Sequence, residues 1–390
     1  MKTQVGIIGA GPAGLLLARM LQNEGIETVI IEHRSREYAL SRIRAGVIEP
    51  GAVATFIEQG VGERLKREGM PHEEMQLRWN GEVHRFNQVD ENGRYLTTYG
   101  QSEIVRDMIE AREADGLPIL WEAKAERLEG LADAPVIHFT QNGTHKTLAC
   151  EFIAGCDGFH GISRQHVPDV ETASFLKEYP FAWLGILVEA APNPDKRGYA
   201  HTPRGMAVAS ARSPSVGRLY IQVAPDEDID GWSEDAIWEE LDRRFADNTG
   251  ATLNRGRIIS RDIARLRAFI CERMRHQRLF IAGDAAHIVP PSGAKGLNLA
   301  VGDVRVMAEA IRRNLKTGDT ALIEDYSAIC LRRIRAMVHW ANRLAETLHI
   351  FPGQTVFDTK MQVETLNKWA YTEIGNREFV SSALGLPYEI

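Results

Sequence analysis

The sequence predicts a mixed α/β (α+β) fold with an inserted β-rich block and a helical C-terminal segment. An apolar run at Val5–Ala10 leads directly into a glycine-rich turn and an apolar helical pattern, which is typical of a βαβ unit. Strand-like runs separated by Gly, Pro and Ser turns fill residues 179–223. From residue 300 the apolar spacing is helical up to about residue 349.

Length and composition limit the function classes. A chain of 390 residues favours several domains over one core. The net charge of −7 argues against a nucleic acid or an anionic membrane as partner. No apolar run is long enough to span a bilayer, and the N-terminus lacks the layout of a signal peptide. The 4 cysteines have no metal-ligand spacing, so we expect reduced thiols, no metal site and a cytoplasmic protein.

The N-terminal motif is G-x-G-x-x-G, and the next strand ends at Glu32. In such a unit Gly9 makes the tight turn, Gly11 lets the backbone approach a pyrophosphate, and Gly14 lets helix and strand pack closely. The helix N-terminus favours phosphate charge, and Glu32 can accept hydrogen bonds from a ribose. The pattern therefore predicts a dinucleotide site, without separating FAD from NAD.

Basic side chains follow this unit over residues 33–44. A charge run of this kind is either a solvated face or a phosphate-binding segment, since arginine forks match phosphate oxygens. The spacing alone leaves both interpretations open.

Residues 283–299 form a stretch rich in glycine and proline between an apolar strand and a helical pattern. The Pro-Pro pair fixes backbone angles, and the glycines permit close approach of a ligand. The free N–H groups of the following helix N-terminus point at whatever lies there. We interpret the stretch as a ligand-binding loop.

The G-x-G-x-x-G, Cys-Asp-Gly and Gly-Asp motifs occur in an order that resembles the group A flavoprotein aromatic hydroxylases. The similarity covers nearly the whole chain, weakens over the last 45 or so residues, and is greatest to the branch that hydroxylates 4-hydroxybenzoate. The segments that carry it are RIRAGV at 42–47, YGQ at 99–101, CDGFHGISR at 156–164, GDAAHIVPPSGAKGLNLA at 283–300 and the terminal GLPYE.

The resemblance implies a Rossmann-like FAD-binding domain, an inserted β-sheet substrate domain and a C-terminal helical segment. The implied boundaries are 1–71, 98–172 and 268–345 for the FAD-binding domain, 72–97 and 173–267 for the substrate domain, and 346–390 for the C-terminal segment.

The resemblance also implies the cofactor contacts. Asp284 would accept hydrogen bonds from the ribityl chain of FAD, and Leu297 and Asn298 would lie by the pyrimidine edge of the flavin. The implied FAD-binding residues are Gly9, Gly11, Gly14, Glu32, Arg42, Arg44, Gln101, Asp284, Leu297 and Asn298. The implied NAD(P)H-binding residues are His33, Arg34, Tyr38, His160, Arg164 and Arg267. The cations favour the 2′-phosphate of NADPH, and use of NADH stays open.

The implied substrate site lies in the β-rich block. Ser210, Arg212 and Tyr220 would bind a carboxylate, and residues 210 and 212 share one strand face because they are two apart. Tyr199 would hydrogen-bond the substrate phenol and help to ionise it. The carbonyl of Pro291 would contact the ring hydroxyl, and His72 would end the proton path at solvent.

Ala383 occupies a position where the family has a tyrosine in the middle of that path. Three explanations stay open: a shifted local alignment, a relay through water, or a different substrate. A small side chain would also leave room beside the ring. We therefore hypothesise that a more substituted ring, such as 3,4-dihydroxybenzoate, is accepted better than in typical members.

The implied activity is that of an FAD-dependent monooxygenase, acting through a flavin C4a-hydroperoxide. It would convert 4-hydroxybenzoate to 3,4-dihydroxybenzoate with NAD(P)H and O2, as a homodimer and without a metal. The alternatives are a hydroxylase for another benzoate, such as 3,4-dihydroxybenzoate or 4-aminobenzoate, and an FAD-binding sensor without oxygenase activity.

Overall fold

The computed structural model describes residues 1–41 and 46–388. Arg42 and Arg44 lie outside the described residues. The strands in the described ranges are β1 (Val5–Ile8), β2 (Thr28–Ile31), β3 (Val47–Ile48), β4 (Met70–His72), β5 (Glu74–Trp79), β6 (Glu82–Asn87), β7 (Leu96–Thr98), β8 (Ile119–Leu120), β9 (Ala123–Glu129), β10 (Val136–Gln141), β11 (Thr144–Ala149), β12 (Phe152–Gly155), β13 (Ser174–Glu189), β14 (Gly198–Thr202), β15 (Gly205–Ser213), β16 (Val216–Val223), β17 (Arg257–Cys271), β18 (Arg275–His276), β19 (Leu279–Ile281) and β20 (His287–Ile288).

The helices follow the same order along the chain. They are α1 (Pro12–Asn23), α2 (Arg36–Ser41), α3 (Pro50–Glu58), α4 (Glu63–Glu68), α5 (Gln101–Ala114), α6 (Glu234–Phe245), α7 (Gly296–Thr317), α8 (Ala321–Leu348), α9 (Val356–Tyr371) and α10 (Glu373–Leu384). Among the described residues, no helix has both the length and the apolar character that a bilayer crossing requires.

The first core is built on a six-stranded sheet in the order β18-β19-β12-β1-β2-β8. All of its neighbouring pairs are parallel except β18–β19. Every residue of β1, β2 and β12 is buried, as expected for a parallel sheet that is covered on both faces. Helix α1 packs against α5 and α7, and its leucines lie in this core.

The second core is built on an eight-stranded sheet in the order β20-β17-β13-β16-β15-β14-β5-β6. Side chains alternate between its two faces. Leu184 belongs to the cluster that α6 covers, whereas its neighbour Trp183 belongs to the cluster formed with α8, α9 and α10. Tyr199 and Tyr220 pack against this second cluster, so they lie on the sheet face that the C-terminal helices approach.

The structure confirms the predicted mixed α/β class, and the strands expected between residues 179 and 223 are present as β13 to β16. The long helical pattern differs in detail. It begins earlier than expected, at Gly296, and it is divided into α7 and α8. The break falls at Gly318, whose φ of 77° is in the left-handed region that ends helices.

Residues 283–299 connect the two sheets. They leave the six-stranded sheet after β19, form the short strand β20 beside β17 of the eight-stranded sheet, and then enter α7. The predicted ligand-binding loop therefore lies at the junction of the two cores.

Candidate active site

The glycine and acidic motifs meet at one edge of the six-stranded sheet, because the carboxyl ends of parallel strands lie side by side. The strands β1, β2 and β12 run parallel as neighbours, and β19 runs parallel to β12. The residues that directly follow β1, β2, β12 and β19 are Gly9, Glu32, Cys156 and Ala282, respectively.

Each glycine of the N-terminal motif has a separate geometric role. A Cβ added at Gly9, where φ is 105°, would lie 2.3 Å from the carbonyl oxygen of Cys156. A Cβ added at Gly14 would lie 2.0 Å from the carbonyl oxygen of Gly9. A Cβ added at Gly11 would meet no described atom within 4 Å. Gly9 and Gly14 therefore allow close packing, whereas Gly11 borders open space at the N-terminus of α1.

The carboxylate of Glu32 is buried and held in place by the backbone of this edge. Its Oε2 accepts a hydrogen bond from the Ala10 N–H at 2.7 Å, and its Oε1 accepts one from the Arg34 N–H at 2.8 Å. His33 Nδ1 lies 3.0 Å from the same Oε1. A carboxylate offers about four lone-pair positions, so this group can also accept from a hydroxyl of a bound nucleotide.

The Gly-Asp turn is anchored by a buried pair behind it. Asp303 Oδ2 accepts a hydrogen bond from the Gly283 N–H at 3.0 Å and lies 2.6 Å from Nε2 of His287. Burial lowers the pKa of His287, but the field of Asp303 outweighs burial, so the net shift is upward. Asp284 lies within this turn and is partly exposed.

Asn298, in the first turn of α7, uses its side chain inside the protein. Its Oδ1 accepts from the Glu49 N–H at 2.9 Å, and its Nδ2 donates to the carbonyls of Ala294 (2.8 Å) and Val47 (3.2 Å). The side chain thus fixes the start of the helix. The free backbone N–H groups of this first turn remain the groups suited to a ligand. Leu297 is partly buried beside them.

A buried lysine precedes α7. Lys295 Nζ donates to Glu49 Oε1 at 2.8 Å and to the carbonyl oxygen of Ala383 at 2.6 Å. Burial lowers the pKa of Lys295, whereas Glu49 opposes that shift. Arg333 binds the other oxygen of Glu49. This cluster links the helix N-terminus to the end of α10.

The candidate carboxylate site lies on β15 and β16. The antiparallel register pairs Val208 with Tyr220 and Ser210 with Arg218. The ladder shifts register between Ala211 and Ser213, so Arg212 lies at an irregularity of the strand pairing. The structure therefore brings Ser210, Arg212 and Tyr220 together on two neighbouring strands, with Arg212 at this irregularity.

Arg212 reaches from the eight-stranded sheet to α5. Its Nη2 donates to Ser102 Oγ at 2.8 Å. A Cβ added at Gly100 would lie 2.6 Å from its Nη1, so the glycine of the YGQ motif leaves room for the guanidinium. Gln101 is the first residue of α5 and is partly buried. Burial lowers the pKa of Arg212.

Tyr199 faces the same loop from β14. Its hydroxyl donates to the backbone carbonyl of Ser292. The carbonyl of the adjacent Pro291 accepts instead from the Ala294 N–H at 3.0 Å. Burial raises the pKa of Tyr199, and the nearby Tyr220 adds to this shift. The phenol therefore keeps its proton at neutral pH.

The solvent end and the middle position of the expected proton path, His72 and Ala383, differ in their surroundings. His72 ends β4, and burial together with Arg197 lowers its pKa to about 4. Ala383 is buried near the end of α10. The tail tyrosine Tyr388 does not stand in for the missing hydroxyl, because its own hydroxyl donates to the Asn298 carbonyl at 3.0 Å.

The expected nicotinamide-binding residues form an aromatic and basic surface. The guanidinium of Arg164 lies 4.7 Å from the ring centroids of both Phe159 and Phe269 and donates to the carbonyl of Ala285 at 3.0 Å. Arg267 lies 4.6 Å from the Phe159 ring. Arg164 is therefore held by protein hydrogen bonds, whereas the Arg267 side chain donates none to the described residues.

The remaining nucleotide candidates are more exposed. His160 makes an edge contact with its neighbouring phenylalanine. The guanidinium of Arg34 lies 4.8 Å from the ring centroid of Tyr38. Arg34 and Tyr38 lie in the segment that follows β2, together with His33.

Comparison with known proteins decides the family. The model of the FAD binding domain family matches residues 2–341. The chain is 41% identical to p-hydroxybenzoate hydroxylase of Acinetobacter baylyi, over 100% of this chain and 97% of that protein. It is 23% identical to 3-amino-4-hydroxybenzoate 2-monooxygenase of Streptomyces cremeus, over 91% and 90% of the two chains.

The chain belongs to the FAD-binding family of flavoprotein aromatic hydroxylases. Its fold agrees: the crystal structure of p-nitrophenol 4-monooxygenase from Pseudomonas putida DLL-E4 matches with a TM-score of 0.83 and 18% identity, covering 99% of both chains. This hydroxylase is a flavin monooxygenase, and FAD is its cofactor. Open space at Gly11, the oriented carboxylate of Glu32 and the partly exposed Asp284 fit the pyrophosphate, ribose and ribityl groups of FAD.

Several side chains of this site were not singled out from the sequence. Lys295 and Ser102 lie inside or directly after motifs that were recognised, so their position offered a signal. Ser292 also lies inside a recognised motif, whereas Glu49 offered no signal, because its contacts join residues that are far apart in the sequence. Arg197 lies two residues before Tyr199, and strand alternation offered a signal there.

Proposed function

We propose that this flavoprotein hydroxylase converts 4-hydroxybenzoate to 3,4-dihydroxybenzoate. NAD(P)H and O2 are consumed, and NAD(P)+ and water leave with the product. One arrangement carries the proposal: a carboxylate-binding arginine, Arg212, and a phenol-donating tyrosine, Tyr199, project from neighbouring strands of one sheet. Arg212 reaches α5, and Tyr199 reaches the loop 283–299. The relative from Acinetobacter baylyi, a p-hydroxybenzoate hydroxylase, agrees with it.

In the proposed complex, Arg212 binds the substrate carboxylate, and the hydroxyls of Ser210 and Tyr220 complete the site. Partial burial supports this role, because a charge-assisted hydrogen bond is stronger away from water. The same contacts orient the ring, so the reacting carbon is held in place before the reaction.

At the other end of the ring, the Tyr199 hydroxyl turns from the Ser292 carbonyl and donates its one hydrogen bond to the phenolate oxygen. Its raised pKa supports a donor role, since it keeps its proton while the substrate loses one. An ionised phenol is the better nucleophile. His72 relays the released proton to solvent at the end of the path, and its pKa, lowered to about 4, keeps it neutral near pH 7 so that it does not retain the proton.

The start of α7 supports the flavin side of the site. The free N–H groups of this helix N-terminus and the dipole behind them stabilise negative charge on the reduced flavin. Asn298 and Lys295 hold this turn in position. When bound, FAD supplies hydride acceptance and O2 activation. The protein orients the substrate and excludes water.

NADPH is the proposed electron donor. Arg34 and Arg267 are partly accessible cations near the edge of the FAD site, and a 2′-phosphate binds well to guanidinium groups. We expect kcat/KM to be higher with NADPH than with NADH. A preference for NADH would contradict this choice of donor but not the hydroxylation.

We further propose the division into an FAD-binding domain (1–71, 98–172, 268–345), a substrate domain (72–97, 173–267) and a C-terminal segment (346–390). A homodimer is proposed as well. Large apolar side chains exposed on α9, such as Val356 (76%) and Phe357 (67%), support self-association. The four buried free cysteines are in keeping with a reducing cytoplasm. Light scattering after gel filtration tests the dimer.

A panel of benzoates tests the function. The holoenzyme is mixed with NADPH, O2 and each acid in turn, and NADPH oxidation, O2 uptake and hydroxylated product are measured together. We expect 4-hydroxybenzoate to stimulate NADPH oxidation with product formed in matching amounts. Oxidation that is not stimulated by any ring acid would contradict the proposal.

A further inference from the structure

Arg197 is a basic residue of the eight-stranded sheet, close to the residues proposed to bind the substrate. The proposed reaction gives it no role. Arg197 directly precedes β14, and it lies two residues before Tyr199. The first pair of the β14–β15 ladder is Gly198 with Ala209. Continuing that antiparallel register sets Arg197 beside Ser210, and strand alternation puts Arg197 on the same sheet face as Tyr199. Arg197 therefore lies alongside the proposed ring, between the carboxylate site and the phenol donor.

The charge of Arg197 is not balanced within the described part of the chain. Its side chain makes no hydrogen bond or ion pair with any described residue, although it is partly buried. Burial lowers its pKa, and the field of Glu74 acts in the opposite direction. The Glu74 carboxylate, however, is already bound to Arg85 at 2.7 Å and to Gln76 at 2.8 Å.

A partly buried cation without a partner is costly, and a bound anion relieves that cost. The other arginines of this sheet face differ in this respect. Arg218 is paired with Asp262. Arg212 donates to Ser102 and is the proposed partner of the ring carboxylate. A substrate with one carboxylate would thus leave Arg197 without a counter-charge.

A small side chain lies in the same cluster as Tyr199. Ala383 belongs to the same buried cluster against which Tyr199 packs, and its side chain is a single methyl group. Its backbone carbonyl is bound to Lys295, so the end of α10 is fixed in place. A substituent on the ring could occupy the space that a larger side chain would fill.

We infer that the preferred substrate is a hydroxylated benzene dicarboxylate, whose second carboxylate binds Arg197. The inference rests on the proposed function and deepens it. Residues two apart on a strand are separated by roughly 6.6 Å. With one carboxylate at Arg212 and the hydroxyl at Tyr199, Arg197 is therefore suited to a group on the ring edge between them. In 4-hydroxybenzene-1,3-dicarboxylate, one carbon next to the hydroxyl stays unsubstituted, so the proposed hydroxylation remains possible.

The test compares ligand affinities of the FAD-loaded enzyme, measured by the change in flavin absorbance. The ligands are 4-hydroxybenzoate, 4-hydroxybenzene-1,3-dicarboxylate and 4-hydroxybenzene-1,2-dicarboxylate. We expect one diacid to bind about tenfold or more tightly than the monoacid. In Arg197→Leu this advantage is lost, while Kd for the monoacid changes less than about threefold. Arg197→Lys should retain part of the advantage.

Arg257→Leu is the matched control, because Arg257 is an exposed arginine of the same sheet and is paired with Glu189. It should leave all three affinities unchanged. The inference would be overturned, and the proposed function kept, if the wild-type enzyme binds and hydroxylates the monoacid but binds both diacids more weakly. An equal loss for monoacid and diacid in Arg197→Leu would also overturn it. If no ring acid binds or stimulates NADPH oxidation, the proposed function fails as well.

Discussion

Arg212 donates a hydrogen bond to Ser102 across 2.8 Å, and this contact joins the eight-stranded sheet to the first turn of α5. The two residues are 110 positions apart in the sequence. The guanidinium also lies against Gly100, where a side chain would collide with it. Arg212, the candidate arginine for binding the substrate carboxylate, is therefore held by α5, which packs in the first core. Its orientation depends on both cores.

Substitutions at Arg212 and Ser102 should weaken substrate binding to different extents. Arg212→Gln removes the charge and is expected to raise Kd for 4-hydroxybenzoate about 100-fold or more. Ser102→Ala removes one hydrogen bond to a charged group and should raise Kd about tenfold. Flavin absorbance titration measures both. Ser215→Ala, in an exposed turn, is the control. An unchanged Kd in Arg212→Gln would show that the carboxylate binds elsewhere.

Two glycine variants should separate cofactor binding from folding. In Gly14→Ala the new methyl group meets the Gly9 carbonyl at 2.0 Å, so the backbone must shift and the free energy of unfolding should fall by roughly 3 kcal/mol. In Gly11→Ala the methyl group meets no described atom, so stability should change by less than about 1 kcal/mol.

Gly11→Ala should nevertheless bind FAD at least tenfold more weakly, because the methyl group enters the space proposed for the pyrophosphate. Urea unfolding of the apoprotein and titration with FAD give the two quantities. Normal FAD affinity in Gly11→Ala would place the pyrophosphate away from this turn.

Removal of the Tyr199 hydroxyl should slow catalysis more than it weakens binding. Tyr199→Phe is expected to lower kcat about 100-fold, because the phenol is no longer helped to ionise. Tyr326→Phe is a matched control, since the buried Tyr326 also donates to a backbone carbonyl, that of Ile281, at 3.0 Å. Steady-state and single-turnover rates at pH 8 measure the effect. A similar kcat in the two variants would argue against the role of Tyr199.

The buried His349 should make stability fall at acidic pH. Its Nε2 accepts from the Trp183 indole at 2.7 Å, and its ring stacks on Phe181 at 4.1 Å. Burial lowers the pKa of His349 to about 3, and the nearby His201 adds to this shift. The unfolded chain therefore binds a proton first as the pH falls. Stability is fully present above about pH 6.5 and is lost below it, by about 1.4 kcal/mol per pH unit for this group.

Urea unfolding between pH 7 and pH 4.5 tests this expectation. His349→Gln should flatten the dependence, whatever its stability at pH 7. His72 acts in the same direction, because its pKa is also lowered, so part of the slope remains in the variant. His145→Gln is the control, since this side chain is 85% exposed. Equal slopes in wild type and His349→Gln would contradict the prediction.

Much of the fold was predictable from local patterns. The glycine spacing at residues 9–14 predicted the βαβ unit, and Pro, Gly and apolar alternation predicted β13 to β16. These signals act over a few residues, because backbone conformation and side-chain alternation are local properties. The division of the helical pattern at Gly318 was not predicted, although residues 316–320, between the apolar side chains of α7 and α8, carry no large apolar side chain.

The sequence by itself determined the α/β class, the nucleotide-binding turn and the family, because each depends on residue types at short, fixed spacings. Only the tertiary structure decided which groups act together. It assigned the Asn298 side chain to Glu49, the Tyr199 hydroxyl to Ser292, and Lys295 to Ala383. These partners are 249, 93 and 88 residues apart. Such contacts depend on strand register and on the packing of two cores, which no local pattern encodes.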